Sequence, residues 1–246
     1  MKRAALLVLV LPFPLFGCGP GTLAQRPTAD QAINGPSADQ CRLAKDPLNP
    51  LIVEWPGTNK VALDAESRRG VVIVKFDGCS NLKVLTQCEA KGTYEAETVT
   101  PARDKMEIKN KNDLFALLPV GALSLGGDVD AGTSFLLDYV AVGQREYKGG
   151  SPDTNGICDG ATHYVRRITI GAYSLDAEAG GNANAGVNVG KIGIGGSHEE
   201  SDKRHKASGD PSKCESDPTT TGCNAPIQLE LTPLPGAAKP VAAAGG

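Results

Sequence analysis

Thr162-His163-Tyr164-Val165-Arg166-Arg167-Ile168-Thr169-Ile170-Gly171-Ala172-Tyr173-Ser174-Leu175 is the stretch whose reading decides the fold. Ile168, Ile170 and Ala172 fall in one phase of a two-residue repeat, and Tyr173 and Leu175 fall in the other. Side chains alternate faces along a strand, so the pattern predicts a strand that changes face once, with the register-flipping bulge placed at Gly171. Residues 135–142, Phe-Leu-Leu-Asp-Tyr-Val-Ala-Val, are apolar in both phases and predict a central strand. Ile227, Leu229 and Leu231, alternating with Gln228 and Glu230, predict the last strand.

Nearer the start, residues 71–76 are β-branched and apolar between Gly70 and Asp77-Gly78, as a buried strand requires. Residues 82–88 follow, and 92–99 alternate Thr93, Glu95 and Glu97 against Tyr94, Ala96 and Thr98, so a meander with one wet face is expected. A second β block is expected from Ala122, where Leu123 and Leu125 alternate with Ser124 and Gly126-Gly127-Asp128 permits a turn or bulge. Residues 110–118 form the best short-helix candidate, with Asn112 or Asp113 as cap and Pro119 as stop.

Residues 149–160 are dense in Gly, Ser, Pro, Asp and Asn and predict a surface loop. Residues 180–196 are glycine-rich, with Val187 and Val189 in one phase and Ile192 and Ile194 in the other, which is strand-like. Residues 197–212 are charged and polar and predict a loop fixed afterwards by Cys214 and Cys223. The expected fold is mainly β: a single antiparallel β-rich domain, sandwich-like or a bent sheet, with at most one or two short helices. It spans residues 41–232, without internal repeats.

Aromatic residues make up only 4% of the chain, so the core must come mainly from Val, Ile, Leu and Ala. The formal charge is −3, which lacks the basic excess that nucleic acid demands and offers no polybasic surface to anionic lipid.

The chain opens with Lys2 and Arg3, then an uncharged apolar run to Phe16 interrupted by Pro12 and Pro14. Such a run is too short and too broken to cross a bilayer core of roughly 30 Å as a helix, and residues 1–17 are expected to be a signal peptide. The closing residues Leu15-Phe16-Gly17-Cys18 resemble the lipobox of bacterial lipoproteins, with Phe16 larger than that pattern prefers. The resemblance implies cleavage before Cys18 and acylation of its sulfur, and Gly19, in place of an inner-membrane retention Asp, favours the outer membrane. An ordinary secretory signal, cut after Thr22-Leu23-Ala24, is the alternative. Residues 18–40 are Gly, Pro and polar-rich without apolar periodicity and predict a flexible lipid-anchored linker; residues 233–246 predict a disordered tail.

Seven cysteines minus Cys18 leave Cys41, Cys79, Cys88, Cys158, Cys214 and Cys223, an even set suited to three bridges in an oxidising compartment. The pairing expected is Cys79 with Cys88, Cys214 with Cys223, and Cys41 with Cys158, one of 15 possible connectivities.

No catalytic constellation emerges. Cys158, His163, His198, His205, Cys214 and Cys223 lack the close spacing of a zinc site, and His198, Glu199, Glu200, Asp202 and His205 read as a solvated loop, so no metal or cofactor is expected. Gly195-Gly196-Ser197-His198 puts serine and histidine adjacent, unsuited to a proton relay. Residues 186–192, Gly-Val-Asn-Val-Gly-Lys-Ile, lack the spacing and hydroxyl of a phosphate loop, and Gly193 and Gly195 have no following helix.

Thr162-His163-Tyr164, six residues, then Gly171-Ala172 resembles the signature of the membrane-attack-complex/perforin family, departing at Ala172, where a second glycine is usual. That resemblance implies a strand bend at Gly171 and membrane-inserting sequence in residues 180–196. The function expected is that of a non-catalytic outer-membrane lipoprotein: a binding or assembly module held to the membrane by its N-terminal lipid anchor and meeting an envelope protein or surface ligand. A membrane-active effector or an envelope enzyme is the alternative.

Overall fold

The computed structural model describes residues 36–178 and 205–236. Among these residues nine strands run in chain order: β1 (Ile73–Phe76), β2 (Leu82–Val84), β3 (Cys88–Ala90), β4 (Glu95–Ile108), β5 (Ser134–Glu146), β6 (Thr154–Gly156), β7 (His163–Glu178), β8 (His205–Ser208) and β9 (Ala225–Pro233). Seven form one antiparallel sheet, and β3 pairs with β6 in a separate two-stranded sheet. The protein is mainly β, as its alternating apolar runs require.

The strand β7 is the spine. Along one of its edges β1 meets His163 and Tyr164, and β5 continues from Arg167 to Glu178. Along the other, β9 runs from His163 to Gly171 and β8 from Tyr173 to Asp176. Ile168 packs with Val165, Leu229 and Leu231, while Tyr173 and Leu175 join the cluster built on Phe135, Leu137 and Ile108. The change of face is therefore real, but its devices differ from expectation. The extra residues are Arg166 in β7, Val142 in β5 and Ile227 in β9, where the paired registers slip. Gly171 serves a different need: a Cβ there would lie 1.8 Å from the Val140 carbonyl oxygen, so its absence lets β5 and β7 close up.

Five helices lie among the described residues, more than the one or two expected: α1 (Ala38–Cys41), α2 (Gly57–Ser67), α3 (Lys111–Leu117), α4 (Ala122–Asp130) and α5 (Pro211–Ser216). The cap of α3 is Asn110, whose side chain accepts from the Asp113 amide at 3.0 Å, while the Asp113 carboxylate accepts back from the Lys109 amide at 3.2 Å. Neither Asn112 nor Asp113 caps it. The strand expected from Ala122 is instead α4, which buries Ala122, Leu125, Gly126 and Val129, the spacing of a helix face. Residues 197–212 are also corrected where they are described. Residues 205–208 form β8, and Asp210, accepting from the Ser212 and Lys213 amides at 3.0 and 3.3 Å, caps α5. The strand-like stretch 180–196 lies outside the described residues.

The disulfides are Cys41–Cys79, Cys88–Cys158 and Cys214–Cys223. The last is the expected pair, and the other two correct the expected Cys79–Cys88 and Cys41–Cys158. The reason lies in residues 77–90. The Asp77 carboxylate gathers the Cys79 and Asn81 amides at 2.8 and 3.1 Å, tightening a turn that aligns β1 with β2 and leaves Cys79 facing Cys41 of α1. After β2 the chain leaves the large sheet, and β3 pairs Cys88 with Gly156, which brings Cys158 within a Cα separation of 4.7 Å.

Candidate functional site

A segment that the sequence reading passed over builds the site. Residues 48–55 run beside β9: the Ile52 amide donates to the Ile227 carbonyl at 2.9 Å, the Leu229 amide to Pro50 at 3.1 Å and the Leu231 amide to Leu48 at 2.7 Å. Ile52, Val53 and Trp55 are thereby buried, and Glu54 is carried in with them at 7% exposure. The available signal was Pro50-Leu51-Ile52-Val53-Glu54-Trp55-Pro56, a short apolar run bounded by prolines.

A cavity of about 790 Å³ opens against this segment, between the β1–β2 turn and the start of α4. Its apolar lining comes from Trp55, Phe76, Leu82, Val120 and Leu123, and the Trp55 indole is fixed by donating to the Leu82 carbonyl at 3.0 Å. Apolar walls with a few placed polar groups are the usual make-up of a small-molecule site, and the volume suits one. Gly121 enables the approach of α4, since at φ +96 it would set a Cβ 2.7 Å from the Glu54 side chain.

The ionisable groups here are occupied with one another. Lys206 donates to the Glu54 carbonyl at 2.9 Å and stands 3.4 Å from Glu54 Oε2, and Ser124 Oγ donates to Glu54 Oε1 at 3.2 Å. Behind them, the Lys60 ammonium donates to the Val53 carbonyl at 2.9 Å and to the Tyr173 hydroxyl. Burial, helped by the charge of Lys206 and opposed by Glu54, pushes the Lys60 amine down to about 8. Burial and the Glu54 charge push the Tyr173 hydroxyl up to about 12. These contacts hold the wall together.

Two lysines on the lining differ. Lys75 and Lys83 are exposed, stand directly opposite each other in the β1–β2 register, and have no carboxylate within 4 Å among the described residues. Asp77, on the same lining, accepts from the Cys79 amide, the Asn81 amide and the Asn81 side chain and keeps its negative charge.

The residues singled out in the sequence are dispersed. His163 is fully buried at the start of β7, its Nδ1 2.8 Å from Thr162 Oγ1 and its ring edge-on to Phe76; burial holds its pKa below the ordinary 6.5, and its Nε2 has no hydrogen-bond partner among the described residues. Thr162 reaches the cavity, whereas Gly171 serves strand packing. Cys18, His198, Glu199, Glu200 and Asp202 lie outside the described residues, as do the glycine-rich run 186–196 and Ser197. Among the described residues no group of three or more His, Cys, Asp or Glu is placed to hold a metal. A second cavity of about 520 Å³, between the end of α2 and the small sheet, is rimmed by an Arg69–Glu66 ion pair at 3.0 Å.

Comparison with protein-family models, with curated proteins and with solved structures finds no match.

Proposed function

We propose that the chain is a non-catalytic lipoprotein of the cell envelope, anchored at the outer membrane through acyl chains on Cys18 and presenting its β-rich domain on the 18–40 linker as a binding or assembly module. The observation that carries this reading is the complete pairing of Cys41–Cys79, Cys88–Cys158 and Cys214–Cys223, which leaves Cys18 as the one cysteine of seven outside a bridge. Three bridges suit an oxidising compartment, and the remaining thiol closes the lipobox-like Leu15-Phe16-Gly17-Cys18. No helix among the described residues is long and apolar enough to cross a membrane. Two or more acyl chains, at about 0.8 kcal/mol per buried CH₂, hold a protein on a bilayer that a single chain holds only marginally.

The cavity beside Trp55 supports the binding role, because its walls are apolar and its buried ionisable groups are paired with each other instead of converging on free space. Metabolic labelling with palmitate is the test: wild type incorporates label and fractionates with membranes, and Cys18→Ala does neither. Equal partition of the two proteins into the soluble fraction refutes the anchor.

A further inference from the structure

Two amines crowd the Glu54 carboxylate beside the first turn of α2. Lys60 Nζ sits on the Val53 carbonyl at 2.9 Å and 4.4 Å from the centre of the Tyr173 ring, and Lys206 Nζ sits on the carbonyl of the next residue, Glu54, also at 2.9 Å. The Glu54 carboxylate stands 3.4 Å from Lys206, and among the described residues Lys60 makes no ion pair of its own. One turn further along α2, Asp64 is taken by Arg68 and Arg145 at 2.9 and 2.8 Å. Two ammonium groups held close in a half-buried space are relieved when one gives up its proton, and the loss falls on Lys60, which burial and the Lys206 charge, against the pull of Glu54, bring down to about 8. Its other contact is the Tyr173 hydroxyl, which burial and the Glu54 charge keep protonated at neutral pH. Near neutrality the folded chain therefore offers free amine next to a hydroxyl proton donor.

We propose that Lys60 is a covalent capture site for small uncharged aldehydes, which it takes up as an imine. The amine lone pair attacks the carbonyl carbon and forms the new N–C bond; the C–O bond then breaks, and the oxygen leaves as water with the two hydrogens the amine gives up, so no oxidant or reductant takes part. While Lys60 is charged it donates to the Tyr173 hydroxyl. Once it is neutral the hydroxyl donates to the amine, and as the carbonyl arrives it turns to the developing oxyanion and protonates it. Lys206, fixed on the Glu54 and Trp55 carbonyls, is the positioning residue that disfavours reprotonation of Lys60. The half-burial of Lys60 restricts the partner to a small molecule. This site goes beyond the binding-module reading and does not depend on it.

The test is competitive labelling of the full chain carrying Cys18→Ser, which takes no acyl group, with acetaldehyde and cyanoborohydride, the hydride serving only to trap each imine as an ethylamine. Peptide mass spectrometry at low conversion gives the rate at every lysine, with the exposed Lys75, Lys83 and Lys91 as references. At pH 7 an amine that titrates at about 8 is neutral roughly 300 times more often than one at 10.5. Lower basicity and half-burial take back part of that advantage, so Lys60 is expected to react at least about tenfold faster than the references. The advantage should vanish near pH 10.5, where the references are free amines too, and in guanidinium chloride, where the cluster is dispersed. Lys206→Gln, with its fold checked by thermal unfolding, should slow Lys60 severalfold and leave the references unchanged. A Lys60 rate at pH 7 no higher than that of the references overturns the proposal, as does an advantage that survives unfolding or one that Lys206→Gln leaves intact. Acylation at Cys18 plays no part in this labelling, so a failure here leaves the anchor standing, and an unacylated native chain leaves the labelling standing.

Discussion

Gly171 of β7 lies so close to Val140 of β5 that a Cβ on the glycine would stand 1.8 Å from the valine carbonyl oxygen. The contact is between two backbones, and neither can rotate away as a side chain would. Gly171→Ala is therefore expected to cost about 3 kcal/mol, at the upper end of overpacking penalties, because the β5–β7 ladder must part to admit the methyl group. Urea unfolding measures it. Gly57→Ala is the control: nothing lies within 4 Å of a Cβ there, at the first position of α2, and a gain of roughly 0.5 kcal/mol is expected. A Gly171→Ala protein as stable as wild type would contradict the close approach.

The bridges differ in what they close. Loop-closure entropy predicts stabilisation of about 4 kcal/mol each from Cys88–Cys158 and Cys41–Cys79, and about 2.5 kcal/mol from the short Cys214–Cys223 loop. Paired alanine replacements, compared by urea unfolding, should follow that order. Non-reducing peptide mapping should recover a peptide joining Cys88 to Cys158, and one joining Cys79 to Cys88 would contradict the register of β3 with β6.

Lys60 gives the domain an alkaline signature. Its folded value of about 8 lies below the ordinary 10.5. Between these values the unfolded chain holds a proton that the folded chain has released, so this group's contribution to stability rises with pH across that window. Lys60→Met should remove the rise in a series of urea titrations from pH 7.5 to 10. Identical slopes for the two proteins would show that Lys60 is not desolvated.

Acid acts on two other groups in different windows. Burial depresses His163 below 6.5, so the unfolded chain takes up a proton first and stability falls as pH drops through 6.5; His163→Phe should flatten that step. Asp138 is held below 3.8 mainly by the Arg103 guanidinium, which donates to its two oxygens at 2.8 and 2.7 Å; burial opposes the shift and Lys105 adds to it. Its contribution is present above 3.8 and is lost as pH falls through the folded value, and Asp138→Asn should lack that loss. The readout is the unfolding midpoint between pH 7 and 2.5, where loss of both steps in a single variant would contradict the assignment.

Where burial alternates with a period of two, the sequence was legible. The face change along β7, the central position of β5 and the Ile227, Leu229, Leu231 strand all announce themselves as apolar phases. Elements with other sources of stability did not. The helix α2 buries only Leu63 and Ser67 and leaves Val61 exposed, so it carries no apolar stripe to read. The helix α4 carries Leu123 and Leu125 two apart and a Gly-Gly pair, a strand-like local pattern that packing of Ala122, Leu125 and Val129 overrides. Much of β4 is polar because, among the described residues, it is an edge strand paired only with β5, so only its first residues alternated visibly. The cavity was hidden for a related reason: Trp55, Phe76 and Leu123 come from three separated segments, and only the turn at Asp77 and the course of residues 48–55 bring them together.

The central claim is that Cys18 becomes the acylated first residue of the mature protein. Intact-mass and N-terminal peptide mass spectrometry of the chain purified from its native envelope measures this directly. The predicted result is a chain that begins at Cys18 and carries the added mass of its acyl groups. A chain that begins after Ala24, or a Cys18 recovered without acyl mass, would contradict it.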